Sequence, residues 1–244
     1  MRLKSKDNLA NVLADIDSFA RGVQIAGAIA LTKTAKLIQA AEVKEMGDVF
    51  DRPTPYTLNS VYVVPATVEK PEAEVYIKDE AVKGRSAREY LIPEIDGGIR
   101  AEKRSEYILR TQGILPAGMV VVPGGAAKLD RYGNMSAGQM QQILSALRVS
   151  ETVLGHTSDR SRDKARQRKG LPQFFIARRG GRARHLHPGV WLRDGATVRP
   201  VLMFVRQASY KRRLDFNRVA TETVDQHFDS ILRAELEKTV RRRG

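Results

Sequence analysis

The 244 residues of this chain include no cysteine. That absence excludes disulfide bonds, thiolate zinc sites and cysteine nucleophiles. Long hydrophobic runs are also missing, since the longest, at residues 25–31, falls far short of the ~20 residues that a membrane-spanning helix needs. The polar, basic residues 1–7 have no apolar stretch behind them, so no secretory signal is expected. The sequence therefore predicts a soluble protein without a membrane partner.

Catalytic and cofactor motifs are equally scarce. The chain has no Gly-x-Ser-x-Gly elbow, although its Ser, Asp and His residues leave a triad from distant positions open. The glycine-rich residues 124–128 end in lysine but lack the Gly-Lys-Ser/Thr of a phosphate loop, and a tight turn explains them as well. His185 and His187 could face one side of a strand and bind a metal, or simply flank a basic loop. No enzyme activity, catalytic residue, metal, cofactor or small-molecule ligand is predicted.

Positive charge is the dominant feature that is present. Lys and Arg number 42 against 28 Asp and Glu, a net charge of +14, which favours nucleic acid, anionic lipid or an acidic protein as partner. Residues 157–170 lack apolar periodicity and are predicted to form a flexible basic loop. The basic contact residues predicted here and at the end of the chain are Arg160, Arg162, Lys164, Arg166, Arg168, Lys169, Arg178, Arg179, Arg241, Arg242 and Arg243.

Three interpretations of the basic region stay open. It could bind phosphates through counterion release, with Phe174 and Phe175 as stacking partners for bases. Because these two residues are adjacent on a predicted strand, at least one of them must point into the core. The region could instead dock on an acidic protein surface, or be a solvated loop without a partner.

A long amphipathic helix over residues 8–50, capped by Asp7, is the strongest structural prediction. It would be about 60 Å long. Ile25, Ile29 and Leu31 add a second apolar face, and a helix that is apolar all round is buried on both sides. We expect the chain's own sheet to cover one side and a neighbouring copy to cover the other.

The turn that follows this helix is a second predicted protein interface. Its contact residues are Arg52, Pro53, Pro55 and Tyr56. Since a residue that precedes proline is pushed toward extended geometry, Arg52 and Thr54 are both expected to be extended.

The remaining patterns predict an α+β fold in one domain spanning residues 1–244. A hairpin is expected at residues 60–64 and 74–77, and a second hairpin turn at Asp194-Gly195. Short helices are expected at 102–111 and 136–148, and further strands at 119–122, 174–177, 189–192 and 198–205. A second long helix is expected at 215–243. The predicted architecture is one antiparallel sheet packed with the two long helices, with the irregular basic loop in the middle.

Two stretches together resemble a known family. Residues 49–60 run Val-Phe-Asp-Arg-Pro-Thr-Pro-Tyr-Thr-Leu-Asn-Ser after the long helix. Residues 113–116 run Gly-Ile-Leu-Pro and precede Leu-Asp-Arg-Tyr-Gly-Asn-Met-Ser at 129–136. In these stretches the chain resembles small proteins of tailed bacteriophages and is similar to the tail-completion, or minor tail, proteins of lambda-like phages.

The resemblance implies a non-enzymatic virion structural protein of the neck or tail, made in the host cytoplasm. Such proteins are implied to form homo-oligomeric rings that join or cap virion components, with other neck or tail proteins as partners. DNA in the lumen of the ring is a further candidate partner. The alternative function is a basic nucleic-acid-binding protein that contacts phage DNA.

Overall fold

A computed structural model describes residues 9–81, 84–147, 173–178, 180, 183–207 and 209–241. The chain divides into two compact units where a single domain was expected. We call residues 1–97 with 211–244 the helical unit, and residues 98–210 the basic unit. The division arises because the apolar side chains close two separate hydrophobic cores, one in each unit.

The described elements follow one another as α1 (Leu9–Val49), α2 (Pro55–Leu58), β1 (Val61–Val64), β2 (Glu74–Ile77), α3 (Ala87–Asp96), α4 (Arg104–Thr111), β3 (Met119–Pro123), α5 (Ala137–Ala146), β4 (Gln173–Ala177), β5 (Gly189–Asp194), β6 (Thr197–Arg206) and α6 (Phe216–Arg241). This order confirms the α+β class, the long first helix, the long last helix and the antiparallel pairing of the strands.

In the helical unit, α6 runs antiparallel along α1. Arg218 Nη2 lies 2.9 Å from Glu45 Oε1 near one end of the pair, and Lys33 Nζ lies 2.6 Å from Glu235 Oε1 farther along. The seam is lined by small buried residues of α1, namely Ala26, Ala30 and Thr34. Small side chains let two helix backbones approach closely, so the two helices cover each other over most of α6.

The rest of the helical unit closes a core at the C-terminal half of α1. Met46, Val61, Leu91 and Leu214 are buried together there. The predicted hairpin is confirmed: β1 pairs with β2 in an antiparallel register that sets Tyr62 opposite Tyr76. Gln39 Nε2 of α1 donates to the Val61 carbonyl at 2.7 Å, which ties the hairpin to the helix.

In the basic unit, four antiparallel strands follow the order β3-β6-β5-β4. The predicted turn at Asp194-Gly195 joins β5 to β6. One face of the sheet packs against α4 and α5. The buried residues of this core are Leu109, Ile114, Leu115, Val121, Ile143, Val190, Val201, Leu202 and Phe204. The helix expected at 136–148 is confirmed as α5, and Ser136 is its N-cap, since Ser136 Oγ accepts from the Gln139 amide.

The basic unit is an insertion whose two ends meet. Gly98 and Tyr210 form an isolated antiparallel bridge, with N···O distances of 3.1 and 2.7 Å between their backbones. A contiguous segment with its own core and joined ends is the usual form of an inserted domain. The large sheet belongs to the basic unit, whereas the two long helices pack on each other in the helical unit, where α1 also packs on the β1–β2 hairpin.

Candidate functional site

The N-terminal end of α1 extends past the described end of α6. A Cβ placed on Gly22 would lie 2.6 Å from Thr239 Cγ2, so the last turns of α6 lie against α1 at this glycine. Every residue from 11 to 20 is exposed in the described structure. The segment before Gly22 thus forms more than three helical turns, about 18 Å long, that α6 does not cover.

This projecting segment carries an apolar stripe. Val12, Ile16, Phe19 and Val23 are 48%, 57%, 45% and 38% exposed, and we call them the projecting stripe. Their spacing of four, three and four residues places them on one helix face. The same spacing continues into Ala26 and Ala30, which α6 buries. Val12, Ile16 and Val23 therefore continue the α1–α6 seam into the exposed part of α1.

The second apolar face predicted for α1 is also at the surface. Ile25 and Ile29 are exposed, and Leu31 is half-buried. Their exposure agrees with the pattern, whereas their role as a protein interface stays a prediction.

The Arg52–Tyr56 turn differs from expectation at its first residue. Arg52 has φ +50°, a left-handed conformation, where extended backbone was expected. It follows the end of α1, where a left-handed residue reverses the chain, and its guanidinium pairs with Asp51 at 2.9 Å. Thr54 is extended as predicted and caps α2, in which Pro55 is the first residue. Pro53 is half-buried, whereas the exposed Tyr56 donates its hydroxyl to the Arg85 carbonyl.

A shallow apolar hollow lies on α6 near its end. It has a volume of about 420 Å³ and is lined by Arg233, Leu236, Glu237, Val240 and Arg241. These residues recur at helical spacing on the side of α6 opposite Glu235 and Thr239, which face α1. No local pattern predicts this hollow, because only Leu236 and Val240 of its lining are apolar.

Glu42 is buried in the helical unit without a hydrogen-bond partner. Its side chain is inaccessible to solvent, and neither carboxylate oxygen is bonded among the described residues. Burial, with a smaller contribution from the nearby Glu45 and Asp215 carboxylates, raises the pKa of Glu42 to about 8 although Arg218 opposes the shift. Glu42 is therefore a neutral acid near pH 7, buried where the amphipathic pattern of α1 predicts a solvated polar face.

Glu106 is the corresponding buried carboxylate of the basic unit, and it is fully bonded. Arg100 holds both of its oxygens, at 2.8 and 2.5 Å, and the amides of Lys103 and Val121 donate to them at 2.9 and 2.8 Å. Burial opposes ionisation, but these four donors outweigh it and lower the pKa of Glu106 to about 2. Glu106 is thus an ionised structural group rather than a proton-transfer candidate.

The predicted basic contacts are only partly described. Arg178 and Arg241 are exposed, and Arg241 lies 3.8 Å from Glu237. The others lie outside the described residues, and these are Arg160, Arg162, Lys164, Arg166, Arg168, Lys169, Arg179, Arg242 and Arg243. The predicted flexible loop at 157–170 lies outside them as well.

The weaker catalytic candidates are not assembled into sites. His185 and His187 are exposed, and in the part of the chain that the structure describes no three His, Asp or Glu side chains cluster as metal ligands. The glycine-rich turn after β3 is engaged with β6: the amides of Gly124 and Ala126 donate to the carbonyls of Val201 and Pro200, both at 2.8 Å. Those amides are not available to a phosphate.

Comparisons with known proteins give no relative. No protein-family model matches the chain, and neither the curated proteins nor the solved structures contain a match. The resemblance to phage tail-completion proteins therefore stays a prediction. Over the described residues, no helix combines the length and apolar character needed to cross a membrane.

Proposed function

We propose that this protein is a non-enzymatic assembly subunit that associates with copies of itself through the projecting stripe of α1. The exposure of the projecting stripe carries the proposal. Val12, Ile16, Phe19 and Val23 are spaced as a helix-packing seam, and the same seam is buried by α6 a few residues farther along.

Helix physics supports a covered state for this segment. An isolated helix of about 12 residues is only marginally stable in water. Burying one large apolar side chain completely contributes about 1.5–3 kcal/mol. Four side chains that are each about half exposed therefore make roughly 4 kcal/mol available to a partner that covers them.

The hollow on α6 is the surface that we propose receives the stripe of the next copy. Leu236 and Val240 supply apolar contacts, and the exposed Val240 has no apolar cover among the described residues. Because the stripe and the hollow are different surfaces, each copy would bind one neighbour through its stripe and another neighbour through its hollow. Such heterologous contacts close into a ring when the rotation between subunits permits it.

The proposed setting is the neck or tail of a phage particle, in which the ring would join or cap other virion proteins. This part rests on the resemblance of residues 49–60, 113–116 and 129–136 alone. The exposed second face at Ile25 and Ile29 and the ring of Tyr56 are the surfaces that we propose for those other proteins.

The proposal is tested by mass measurement on paired variants. The stripe variant Ile16→Asp with Phe19→Asp should be monomeric at concentrations where the wild-type protein sediments as an oligomer, since charge cannot be buried without a partner. The control Ala14→Asp with Gln24→Asp adds the same charge on other faces of α1 and should retain the wild-type mass. A wild-type protein that stays monomeric up to ~100 μM would contradict the proposal, because its self-association would then be at least about 2.7 kcal/mol weaker than micromolar binding.

Mixing two defective proteins identifies the type of contact. A hollow variant, Leu236→Asp with Val240→Asp, should also be monomeric alone. Mixed with the stripe variant, it should give a dimer with one intact contact and nothing larger. If the hollow variant alone still oligomerises, the stripes pair with each other and the ring geometry is wrong.

A further inference from the structure

The net charge of the chain is concentrated in the inserted unit. Residues 98–210 contain 20 Lys and Arg against 7 Asp and Glu, a net charge of +13. The remaining residues contain 22 against 21, a net charge of +1. The basic character of the protein is therefore a property of one unit and not of its surface in general.

The described acidic groups of this unit are all engaged internally. Glu106 is held by Arg100, Glu102 by Arg110 at 2.7 Å, and Asp194 by Arg199 at 3.2 Å. Asp130 accepts from the amides of Tyr132 and Asn134, both at 2.9 Å. The acids thus neutralise only those cations that already have a structural role.

Other cations of the unit face solvent without a carboxylate. Among the described residues, no acidic side chain lies within ion-pair distance of six exposed ones, which are Lys128, Arg131, Arg178, Arg184, Arg193 and Arg206. Unmatched, exposed guanidinium groups on a folded sheet are the usual electrostatic footprint of a polyanion site.

Three of these arginines gather at one end of the sheet. Arg178 follows the end of β4, Arg184 lies in the turn that leads into β5, and Arg206 ends β6. The antiparallel register brings these strand ends together, because Ala177 pairs with Gly189 and Gly189 pairs with Met203. We call Arg178, Arg184 and Arg206 the arginine end.

An aromatic ring with a stacked cation lies on the same two strands. Phe174 packs against the core, whereas Phe175 points to the opposite face, only partly buried, with the Arg193 guanidinium 5.6 Å from its ring centre. A partly exposed ring beside an arginine can stack on a nucleobase. This arrangement confirms the expectation that at least one of the two phenylalanines points into the core.

We propose that the basic unit is a nucleic-acid-binding module whose arginine end contacts the phosphate backbone and whose Phe175 and Arg193 lie against the bases. Arginine outnumbers lysine 16 to 4 in this unit, compared with 12 to 10 in the helical unit. The planar guanidinium binds phosphate and carboxylate oxygens alike, two at a time. The choice of nucleic acid over an acidic protein surface therefore rests on Phe175 and Arg193, which can stack on bases. The inference does not depend on self-association through α1.

The test uses the full-length protein and a charge-matched pair of variants. Arg178→Gln, Arg184→Gln and Arg206→Gln remove three charges from the arginine end. The control removes three exposed charges from the helical unit by Lys36→Gln, Lys44→Gln and Arg88→Gln, so both variants have a net charge of +11. Binding to a 20-nucleotide single strand, the matching duplex and polyglutamate is measured by anisotropy between 50 and 300 mM salt.

The arginine-end variant should bind nucleic acid about a hundredfold more weakly near 150 mM salt, with a slope of log K against log salt that is smaller by about 2 to 3. The control should keep the wild-type affinity and slope. Equal losses in both variants would mean that total charge, not this site, sets binding, and would overturn the proposal. Polyglutamate that binds as tightly as nucleic acid, or wild-type protein without measurable nucleic-acid binding at 150 mM salt, would overturn it as well.

A Phe175→Ala variant separates base contacts from phosphate contacts. It should weaken single-strand binding by roughly tenfold and leave the salt slope unchanged, since stacking releases no counterions. A Phe174→Ala variant that has this effect while Phe175→Ala does not would contradict the assignment of the exposed ring.

Discussion

Each unit buries a glutamate, but the hydrogen bonding and the pKa of the two carboxyl groups differ in opposite directions. In the basic unit, Glu106 accepts four hydrogen bonds, two of them from Arg100, and its pKa falls to about 2. In the helical unit, Glu42 accepts none from described residues, and its pKa rises to about 8. The comparison shows that burial alone does not fix the charge of a carboxyl group, because the donors around it decide.

The same contrast extends to the surfaces of the units. The basic unit matches each described acid with a partner and leaves arginines exposed, whereas the helical unit is nearly neutral and leaves apolar side chains exposed. One surface suits a polyanion and the other suits a protein. The variants below are designed to break or sharpen this division of roles.

The largest effect is expected from Glu106→Gln. This change leaves the mostly buried Arg100 without a carboxylate, and removing one partner of a buried ion pair costs about 3–5 kcal/mol. Trp191, the sole tryptophan, is buried in the basic unit, so denaturant unfolding followed by its fluorescence measures that unit. The denaturant concentration at the midpoint of this fluorescence transition should fall sharply in Glu106→Gln.

The matched control for this variant is Glu102→Gln. Glu102 pairs with Arg110 at a partly exposed position, where an ion pair contributes less than about 1 kcal/mol. Equal destabilisation by the two changes would show that the bonded network around Glu106 has no special weight in the basic unit.

A change of pH should alter the free energies of unfolding of the two units in opposite directions. Because the pKa of Glu106 is lower in the folded than in the unfolded protein, its carboxylate stabilises the basic unit at pH values above about 4.5. This stabilisation is lost as pH falls from about 4.5 through 2. The raised pKa of Glu42 contributes stability that is complete below about 4.5 and lost as pH rises through about 8. At 1.36 kcal/mol per pKa unit, the effect amounts to about 3 kcal/mol for Glu106 and about 5 kcal/mol for Glu42.

Two probes and one variant isolate the second of these effects. Circular dichroism at 222 nm follows mainly α1 and α6 of the helical unit, and Trp191 follows the basic unit. In the wild-type protein, the midpoint of denaturant unfolding followed at 222 nm should decline between pH 5 and 8. In Glu42→Gln, this decline should be smaller. An unchanged decline would assign it to a group other than Glu42.

A smaller gain is expected from Glu42→Met. An apolar side chain of similar length removes two unsatisfied buried oxygens, which should stabilise the helical unit by about 1–3 kcal/mol. Thermal unfolding at 222 nm measures the change, and Lys44→Met on the exposed side of α1 is the control. Destabilisation by Glu42→Met alone would show that the carboxyl group has a bonding partner in the folded protein.

Much of the fold could be predicted from local patterns. Helical spacing predicted α1, and a second long helix was expected where α6 lies. Alternation and turn residues predicted the hairpin β1–β2 and the β5–β6 turn. These features depend on neighbours in sequence, so a single chain contains the information that they need.

Features that depend on distant residues were missed. The division into two units rests on the meeting of Gly98 with Tyr210, which are far apart in sequence and have no shared motif. Glu42 and Glu106 look alike in the sequence, since each lies among helical residues, and only Arg100 and the Val121 amide distinguish them. Of the candidate site, the exposed Ile25 and Ile29 were predicted, whereas the hollow on α6 was not.

The central claim is that the first turns of α1 need a second copy of the protein to cover them. Amide hydrogen exchange over residues 9–23, measured at 1 and 100 μM protein, tests it most directly, because helical amides exchange slowly only while their helix stays formed. We expect protection of these residues to rise strongly with concentration while that of residues 26–46, beneath α6, stays constant. Protection of residues 9–23 that is the same at both concentrations, in a protein of monomeric mass, would contradict the claim.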